Sequence, residues 1–292
     1  MKLIENLTKM NENNKATMSF SQKSYAKINL FLDVIEKLES GYHSIVTVFS
    51  EIELFDKIKF SLTKNQELKI LSNQKCLESQ ENLIFKVGIY IQAKYNVRHG
   101  ALIELEKNIP IAAGLGGGSS NAATTIKGLS KLWGLELKMS EMHEIAANFG
   151  SDINFFLEGY SAIGRNRGEL IEPLEDEIFI DNILLVNPNF AISSREAYEL
   201  LQKNEKIDYP LPLGNYPIFN RLEIGICNKY PIIRDTLNLL KENGATKAIL
   251  SGSGPTMIGF FENQNSLKNA QKKIDDLNFW NYKTTTRRRP KK

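Results

Sequence analysis

The sequence is poor in the residues that build disulfide frameworks and metal centres. Its 292 residues include two cysteines and three histidines. Cys76 and Cys227 lie far apart and belong to no CxxC pair, so the spacing indicates neither a disulfide framework nor a zinc site. Disulfide-rich chains are typical of oxidising compartments. We therefore expect a cytoplasmic protein.

Long apolar runs are also absent. No stretch approaches the roughly 20 apolar residues that a helix needs to cross a bilayer. The N-terminus has no basic segment followed by an apolar one, which is the pattern of a signal peptide. The hydrophobic share of 42% and the charged share of 24% are ordinary for a chain that buries a core. We expect no membrane partner.

The body of the chain has no marked excess of one charge. Five of the last six residues are Arg or Lys, and without them the net charge falls from +3 to −2. A near-neutral body does not indicate a nucleic-acid-binding face. We expect residues 285–292 to be a solvated basic tail. Residues 1–20 are polar and unpatterned, and we expect a disordered extension there.

Glycine is concentrated in one loop. The stretch Ile109–Ala123 reads IPIAAGLGGGSSNAA, with four glycines in five residues and two serines directly after them. Glycine permits a close approach of the backbone to a ligand, and successive N–H groups can hold an anion. A helix is predicted next, with Ser119 or Ser120 as its cap. Its apolar face is formed by Ala122, Ile126, Leu129 and Trp133.

This loop differs from two common phosphate-binding motifs. No Lys follows the glycines, as GxxxxGK[ST] requires. Ser119 stands where the third glycine of a dinucleotide fingerprint would be. A flexible surface linker is the plain alternative, but apolar residues precede this loop and an amphipathic helix follows it. A phosphate site at a helix N-terminus is the better interpretation.

The segment Pro110–Ala123 resembles the phosphate loop of the GHMP kinases, which include galactokinase, homoserine kinase and mevalonate kinase. Four further segments resemble family motifs and follow the family order: residues 25–32, 41–43, 150–157 and 249–257. The resemblance implies an α+β GHMP kinase fold of two domains, with the active site in the cleft between them. It implies an N-terminal ATP-binding and catalytic domain at 21–178 and a C-terminal α+β domain at 179–284.

The resemblance also implies the residues of a phosphoryl-transfer site. Asp152 would be the catalytic base for the acceptor hydroxyl, and Lys27 would keep it ionised. ATP would bind with Mg²⁺, and no protein ligand of the metal is implied. The residues expected to bind ATP are Pro110, Gly114, Leu115, Gly116, Gly117, Gly118, Ser119 and Ser120.

By the same resemblance, the acceptor is a small molecule that carries a cytidine diphosphate group. Tyr42 would stack on the cytosine, since aromatic faces favour bases. His43 would hydrogen-bond the edge of the ring, because an imidazole offers a donor and an acceptor. Tyr198 would cover the other face of the base, and Asn29 would line the acceptor site.

Four of these residues also have a plainer interpretation. Lys27 and Asn29 fit a half-solvated strand, Tyr42 a surface hairpin, and Asp152 a helix cap. Arg221 stands where the family segment has an acidic residue, which leaves the role of that position open. Two other functions stay open as well. One is a GHMP kinase of the homoserine or mevalonate type, whose acceptors carry no base to stack. The other is a catalytically silent nucleotide-binding protein.

Overall fold

A computed structural model describes residues 18–175, 178–201 and 217–289. The first part of the described chain forms β1 (Ser19–Lys37), β2 (His43–Thr63), β3 (Leu68–Ser72), α1 (Leu83–Lys94), β4 (Gly100–Glu106), α2 (Gly117–Leu132), α3 (Met139–Ala147), α4 (Ile153–Glu158), β5 (Ser161–Asn166) and β6 (Leu170–Pro173). The second part forms β7 (Ile183–Asn187), α5 (Ser194–Glu199), β8 (Phe219–Asn220), α6 (Glu223–Lys229), α7 (Pro231–Glu242), β9 (Lys247–Leu250), β10 (Met257–Phe260), α8 (Gln264–Asp275) and β11 (Trp280–Thr284).

These strands form two sheets. The first has the order β3-β4-β2-β1-β8, with β5 paired to β2 and β6 paired to β5. The second has the order β11-β7-β10-β9. Strands β1 and β2 are 19 and 21 residues long and antiparallel. Their register sets Asn29 opposite Phe49 in the middle of the sheet. This places the polar residues of β1 well away from either strand end.

One apolar cluster joins the two sheets. Ile28 and Leu30 of β1 are buried together with Leu185 of β7 and Ile258 of β10. Burial of one such side chain contributes about 1.5–3 kcal/mol, so this shared core holds the two parts against each other. A cavity lies between the two parts of the chain, at the N-terminal end of α2. The predicted α+β fold with a site in the cleft is confirmed.

The two parts of the chain interleave. The boundary expected at 178/179 lies between β6 and β7. Yet β8 pairs in parallel with β1 of the first sheet, with Phe219 opposite Phe31. Thr286 likewise bridges to Ile52 of β2. The precise domain limits stay a prediction, because elements of the second part complete the first sheet.

The expected tail is packed against the first sheet over residues 285–287. The Arg287 amide donates to the carbonyl of Glu51 (2.9 Å), and the Glu53 amide donates to the carbonyl of Thr285 (3.0 Å). The Arg287 guanidinium lies 3.4 Å from the Tyr25 ring centroid and contacts the Glu51 carboxylate. The expectation of a solvated tail is wrong here, because the carboxylate and the aromatic ring replace water around the cation.

The N-terminal extension is described only at its end. Residues 1–17 lie outside the described residues, as do 290–292 at the other end. Ser19 already belongs to β1 and lies opposite Ser61. Within the described ranges, no helix is both long and apolar enough to span a bilayer.

Candidate active site

The glycine loop leads from β4 into the N-terminus of α2, as predicted. The helix begins at Gly117, and its N-cap is Gly116 with a φ of 68°. Ser119 and Ser120 lie inside the first turn, so the expectation that one of them caps the helix is wrong. No side chain makes a capping hydrogen bond at this N-terminus. Its N–H groups and the positive end of the helix dipole are therefore directed at the cavity, which suits a phosphate.

Most of the residues expected to bind ATP line this cavity: Pro110, Gly114, Gly116, Gly117, Gly118 and Ser119. Leu115 and Ser120 do not, because both are buried below the loop. The Ser120 hydroxyl pairs with that of Ser24 at 2.7 Å. The side chains of these two residues therefore do not face the cavity, and a role of their backbone N–H groups in ATP binding stays a prediction.

A second glycine turn, at residues 251–254, packs against the glycine loop. The Ser251 hydroxyl donates to the carbonyl of Gly114 (3.2 Å). Asn220 at the end of β8 holds this second turn, since its side-chain amide donates to the carbonyls of Leu250 and Gly252, each at 2.8 Å. Asn220 was not among the residues predicted for the site, because its partners lie 30 and 32 residues further along the chain.

A buried ion pair holds the loop from below. The Lys107 Nζ lies 2.7 Å from the Asp56 carboxylate, and both side chains are almost fully buried. The same carboxylate accepts from the amides of Asn108 and Ile109 and from the side chain of Asn121. Burial lowers the pKa of Lys107, and the attraction of Asp56 opposes that shift. The pair thus fixes both ends of the phosphate loop.

Lys27 and Asp152 meet at the floor of the cavity. The Lys27 Nζ donates to Asn29 Oδ1 (2.6 Å) and lies 3.5 Å from Asp152 Oδ2. Asn29 is held in turn by Thr47 at 2.7 Å. Asp152 occupies the N-cap position of α4 but makes no capping hydrogen bond with its side chain. Its carboxylate faces Lys27, so the simple helix-cap interpretation fails.

The two side chains of this pair differ in their exposure to solvent. The Lys27 side chain is 6% exposed and the Asp152 side chain 34%. Burial lowers the pKa of Lys27 from the usual 10.5, while the charge and hydrogen bond of Asp152 act in the opposite direction. The arrangement brings a desolvated cation and a solvent-accessible base to one point, beside the helix N-terminus.

The residues expected to hold cytosine lie at the mouth of a neighbouring cavity. His43 stacks on Tyr198, with ring centroids 5.0 Å apart and planes 12° apart. Tyr42 is 60% exposed, and its ring lies under the guanidinium of Arg167 at 5.1 Å. The structure thus places His43, rather than Tyr42, against Tyr198. Burial and then the charge of Lys37 lower the pKa of His43, which favours the neutral ring with its one donor and one acceptor.

The two cavities adjoin and share four lining residues. The first, about 550 Å³, contains Lys27, Asp152 and the glycine loop. The second, about 830 Å³, contains His43 and Tyr42. The residues that line both are Ser151, Arg167, Ser194 and Tyr198. These volumes suit small-molecule ligands.

Comparison with known proteins shows the class. "GHMP kinases N terminal domain" matches residues 82–160, and "GHMP kinases C terminal" matches residues 218–278. Two curated relatives, from Thermoanaerobacter pseudethanolicus and Caldanaerobacter subterraneus subsp. tengcongensis, are 36% and 38% identical over 272 and 271 residues. Each alignment spans 87% of this chain and 92% of the relative. The chain therefore belongs to the GHMP kinase family. Both relatives are 4-diphosphocytidyl-2-C-methyl-D-erythritol kinases.

Solved structures agree. A 4-(cytidine 5'-diphospho)-2C-methyl-D-erythritol kinase aligns with a TM-score of 0.80 at 25% identity, over 91% of this chain and 99% of its own. The homoserine kinase of Cytophaga hutchinsonii aligns at 0.64 with 14% identity, over 94% of this chain and 96% of its own. This second match bears on the fold alone.

Replacement of Gly114 by Ala is expected to destabilise the protein. Gly114 has a φ of +75°, and a Cβ there would lie 2.2 Å from the carbonyl oxygen of Ser251. The left-handed backbone alone costs about 1–2 kcal/mol with a side chain, and the Ser251 turn must also move. Urea denaturation should show a lower free energy of unfolding, by at least that amount.

The control for this variant is Gly118→Ala in the same loop. Gly118 has no positive φ, and the nearest atom to its Cβ would be a Leu83 methyl at 4.0 Å. We expect this variant to be as stable as wild type or slightly more stable, because Ala favours a helix over Gly. Equal stability of Gly114→Ala and wild type would contradict the bracing of the two turns.

Proposed function

We propose that this protein transfers the γ-phosphoryl group of ATP to the 2-hydroxyl of 4-diphosphocytidyl-2-C-methyl-D-erythritol, a step in isoprenoid precursor biosynthesis. The single observation that carries the proposal is the Lys27–Asp152 pair, 3.5 Å apart, beside the uncapped N-terminus of α2. A phosphate anchored at that N-terminus lies next to a base and a cation. The names of the relatives support the choice of acceptor.

The chemistry follows from these positions. Phosphoryl transfer needs alignment and charge neutralisation more than covalent help from the protein. The glycine loop would bind the ATP phosphates through its N–H groups. Asp152 would accept the proton of the acceptor hydroxyl, and its exposed carboxylate is accessible for this. Lys27 would stabilise the negative charge that develops at the transferred group.

Mg²⁺ fits this site as an ion held largely by the nucleotide. The described residues contain no cluster of three or more His, Cys, Asp or Glu side chains suited to a metal. Magnesium sites in kinases usually combine one or two protein oxygens with substrate phosphates. Ser119 lines the cavity beside the glycine loop, and its hydroxyl would be one such oxygen. When bound, the ion would neutralise charge on the β- and γ-phosphates.

The aromatic pair His43–Tyr198 favours an acceptor with a base over mevalonate or homoserine. It lines the second cavity, which adjoins the cavity of the Lys27–Asp152 pair. Neither mevalonate nor homoserine has an aromatic ring that could stack on this pair. The intact Lys27–Asp152 pair favours an enzyme over a silent nucleotide-binding protein.

The test is ADP release from ATP and Mg²⁺ with three separate acceptors: 4-diphosphocytidyl-2-C-methyl-D-erythritol, mevalonate and homoserine. We expect turnover with the cytidyl compound alone. Turnover with another acceptor would support a kinase but contradict the assignment of a cytosine-binding site. A folded protein that binds ATP but turns over none of the three would support the silent-binder alternative.

A further inference from the structure

Arg167 lies at the junction of the two cavities. It occupies the tight turn between β5 and β6, where Asn166 and Gly168 both have positive φ (59° and 98°). Of the four residues that line both cavities, Arg167 alone carries a charge. The turn also reaches the catalytic base, since a Cβ on Gly168 would lie 3.8 Å from Asp152 Oδ1.

The Arg167 guanidinium is held in place. Its Nε lies 3.4 Å from Glu169 Oε1, and the Arg167 amide donates to the other oxygen of Glu169 (2.8 Å). The guanidinium also stands over the Tyr42 ring at 5.1 Å. The contact with Glu169 uses Nε, and the terminal nitrogens carry further N–H donors. A planar guanidinium presents these donors in the geometry that phosphate oxygens accept.

The order of groups in the acceptor determines what reaches this junction. The base belongs with His43 and Tyr198 in the second cavity, and the reacting hydroxyl belongs with Lys27 and Asp152 in the first. In a cytidine diphosphate-linked acceptor, the diphosphate connects these two ends. It must therefore pass the junction where Arg167 lies.

We propose that Arg167 binds the diphosphate of the acceptor and thereby selects cytidine diphosphate-linked alcohols over the free alcohol or the nucleoside. The inference rests on the proposed function for the placement of the base and the hydroxyl. Arg167 acts here as a specificity-determining residue. It faces the link between the two ends of the acceptor, not the reacting atoms.

The test compares cytidine diphosphate and cytidine as ligands of the wild type and of Arg167→Met, by calorimetry. Wild type should bind the diphosphate more tightly. Arg167→Met should weaken binding of cytidine diphosphate by about 10- to 100-fold, the range expected for lost hydrogen bonds to a charged group. Its affinity for cytidine should stay within about threefold. KM for the full acceptor should rise far more than kcat falls.

The matched control is Arg165→Met. Arg165 lies on the same hairpin, its side chain is 41% exposed like that of Arg167, and it faces Glu172 at 3.7 Å. It lines neither cavity. This variant removes the same charge from the same hairpin and should leave both affinities unchanged. Arg167→Lys should recover part of the affinity, because an ammonium supplies charge without the planar pair of donors.

Two results would overturn the inference. One is equal affinity for cytidine diphosphate in wild type and Arg167→Met. The other is an equal loss for both ligands, which would mean that Arg167 acts by supporting Tyr42. The proposed function is judged separately, by turnover of the wild type. Diphosphate binding that depends on Arg167 in a protein without turnover would support this inference and refute the enzyme.

Discussion

Asp152→Asn is expected to lower kcat by about 10²–10⁴, the range for loss of a positioned general base. An amide has nearly the shape of a carboxylate but cannot accept the hydroxyl proton. The Asp152 side chain makes no capping hydrogen bond and is 34% exposed, so Asn at this position should keep the packing at the N-terminus of α4. Steady-state ADP release should show the loss in kcat, with KM for ATP close to the wild-type value and an unchanged melting temperature.

Asp235→Asn is the control for this variant. Asp235 lies on α7, is 66% exposed and faces Arg234 at 3.8 Å. The Asp235→Asn variant carries the same chemical change at a residue that does not line the cavity, and its kcat should equal the wild-type kcat. An Asp152→Asn enzyme at the wild-type rate would remove Asp152 from the role of base. A loss of activity that is matched by a lower melting temperature would point to a structural role instead.

Lys27→Met is expected to lower kcat by about 10²–10³, the cost of removing one preorganised group that stabilises charge in the transition state. The Lys27 ammonium is almost fully buried, so water cannot replace it there. Met fills a similar volume and should keep the packing of β1. Lys59→Met, at a 47% exposed position on β2, is the control and should retain full activity.

The pH profile tests the charge on Lys27 directly. Burial lowers its pKa below the usual 10.5. Because the charged form is the active one, kcat should fall as the pH rises through this lowered pKa, before an exposed lysine would titrate. The guanidinium of Lys27→Arg keeps its charge over this pH range. We expect a lower kcat for this variant, but one that does not fall as the pH rises. The same decline in both enzymes would assign it to another group.

The parts of the site that follow from short-range sequence patterns were predictable. The glycine run and the apolar spacing after it predict a loop entering a helix, and α2 begins within that loop at Gly117. Alternation along β1 places Lys27 and Asn29 on one face of the strand. There Lys27 Nζ lies 2.6 Å from Asn29 Oδ1. The period of two residues in a strand is sufficient for that inference.

The parts that depend on distant residues were not predictable. Lys107 and Asp56 are 51 positions apart, and Asn220 reaches the second glycine turn only because β8 joins β1. No local periodicity encodes these contacts. Arg221 shows the same limit, since its acidic partner Asp33 lies 188 positions away. The orientation of Tyr42 and His43 also depends on turn geometry, as Gly41 before them has a φ of 82°.

A ribosome must reach residue 220 before the first sheet has all its strands. Strand β1 receives β8 only after residue 220 exists, and Glu51 meets Arg287 across 236 positions. Such late contacts close large loops and slow the final steps of folding. Until then, Phe31 and Leu32 of β1 lack their partners in β8, and an unpaired strand edge is a template for pairing with other chains. During synthesis, the N-terminal half therefore passes through a stage in which it is prone to aggregate.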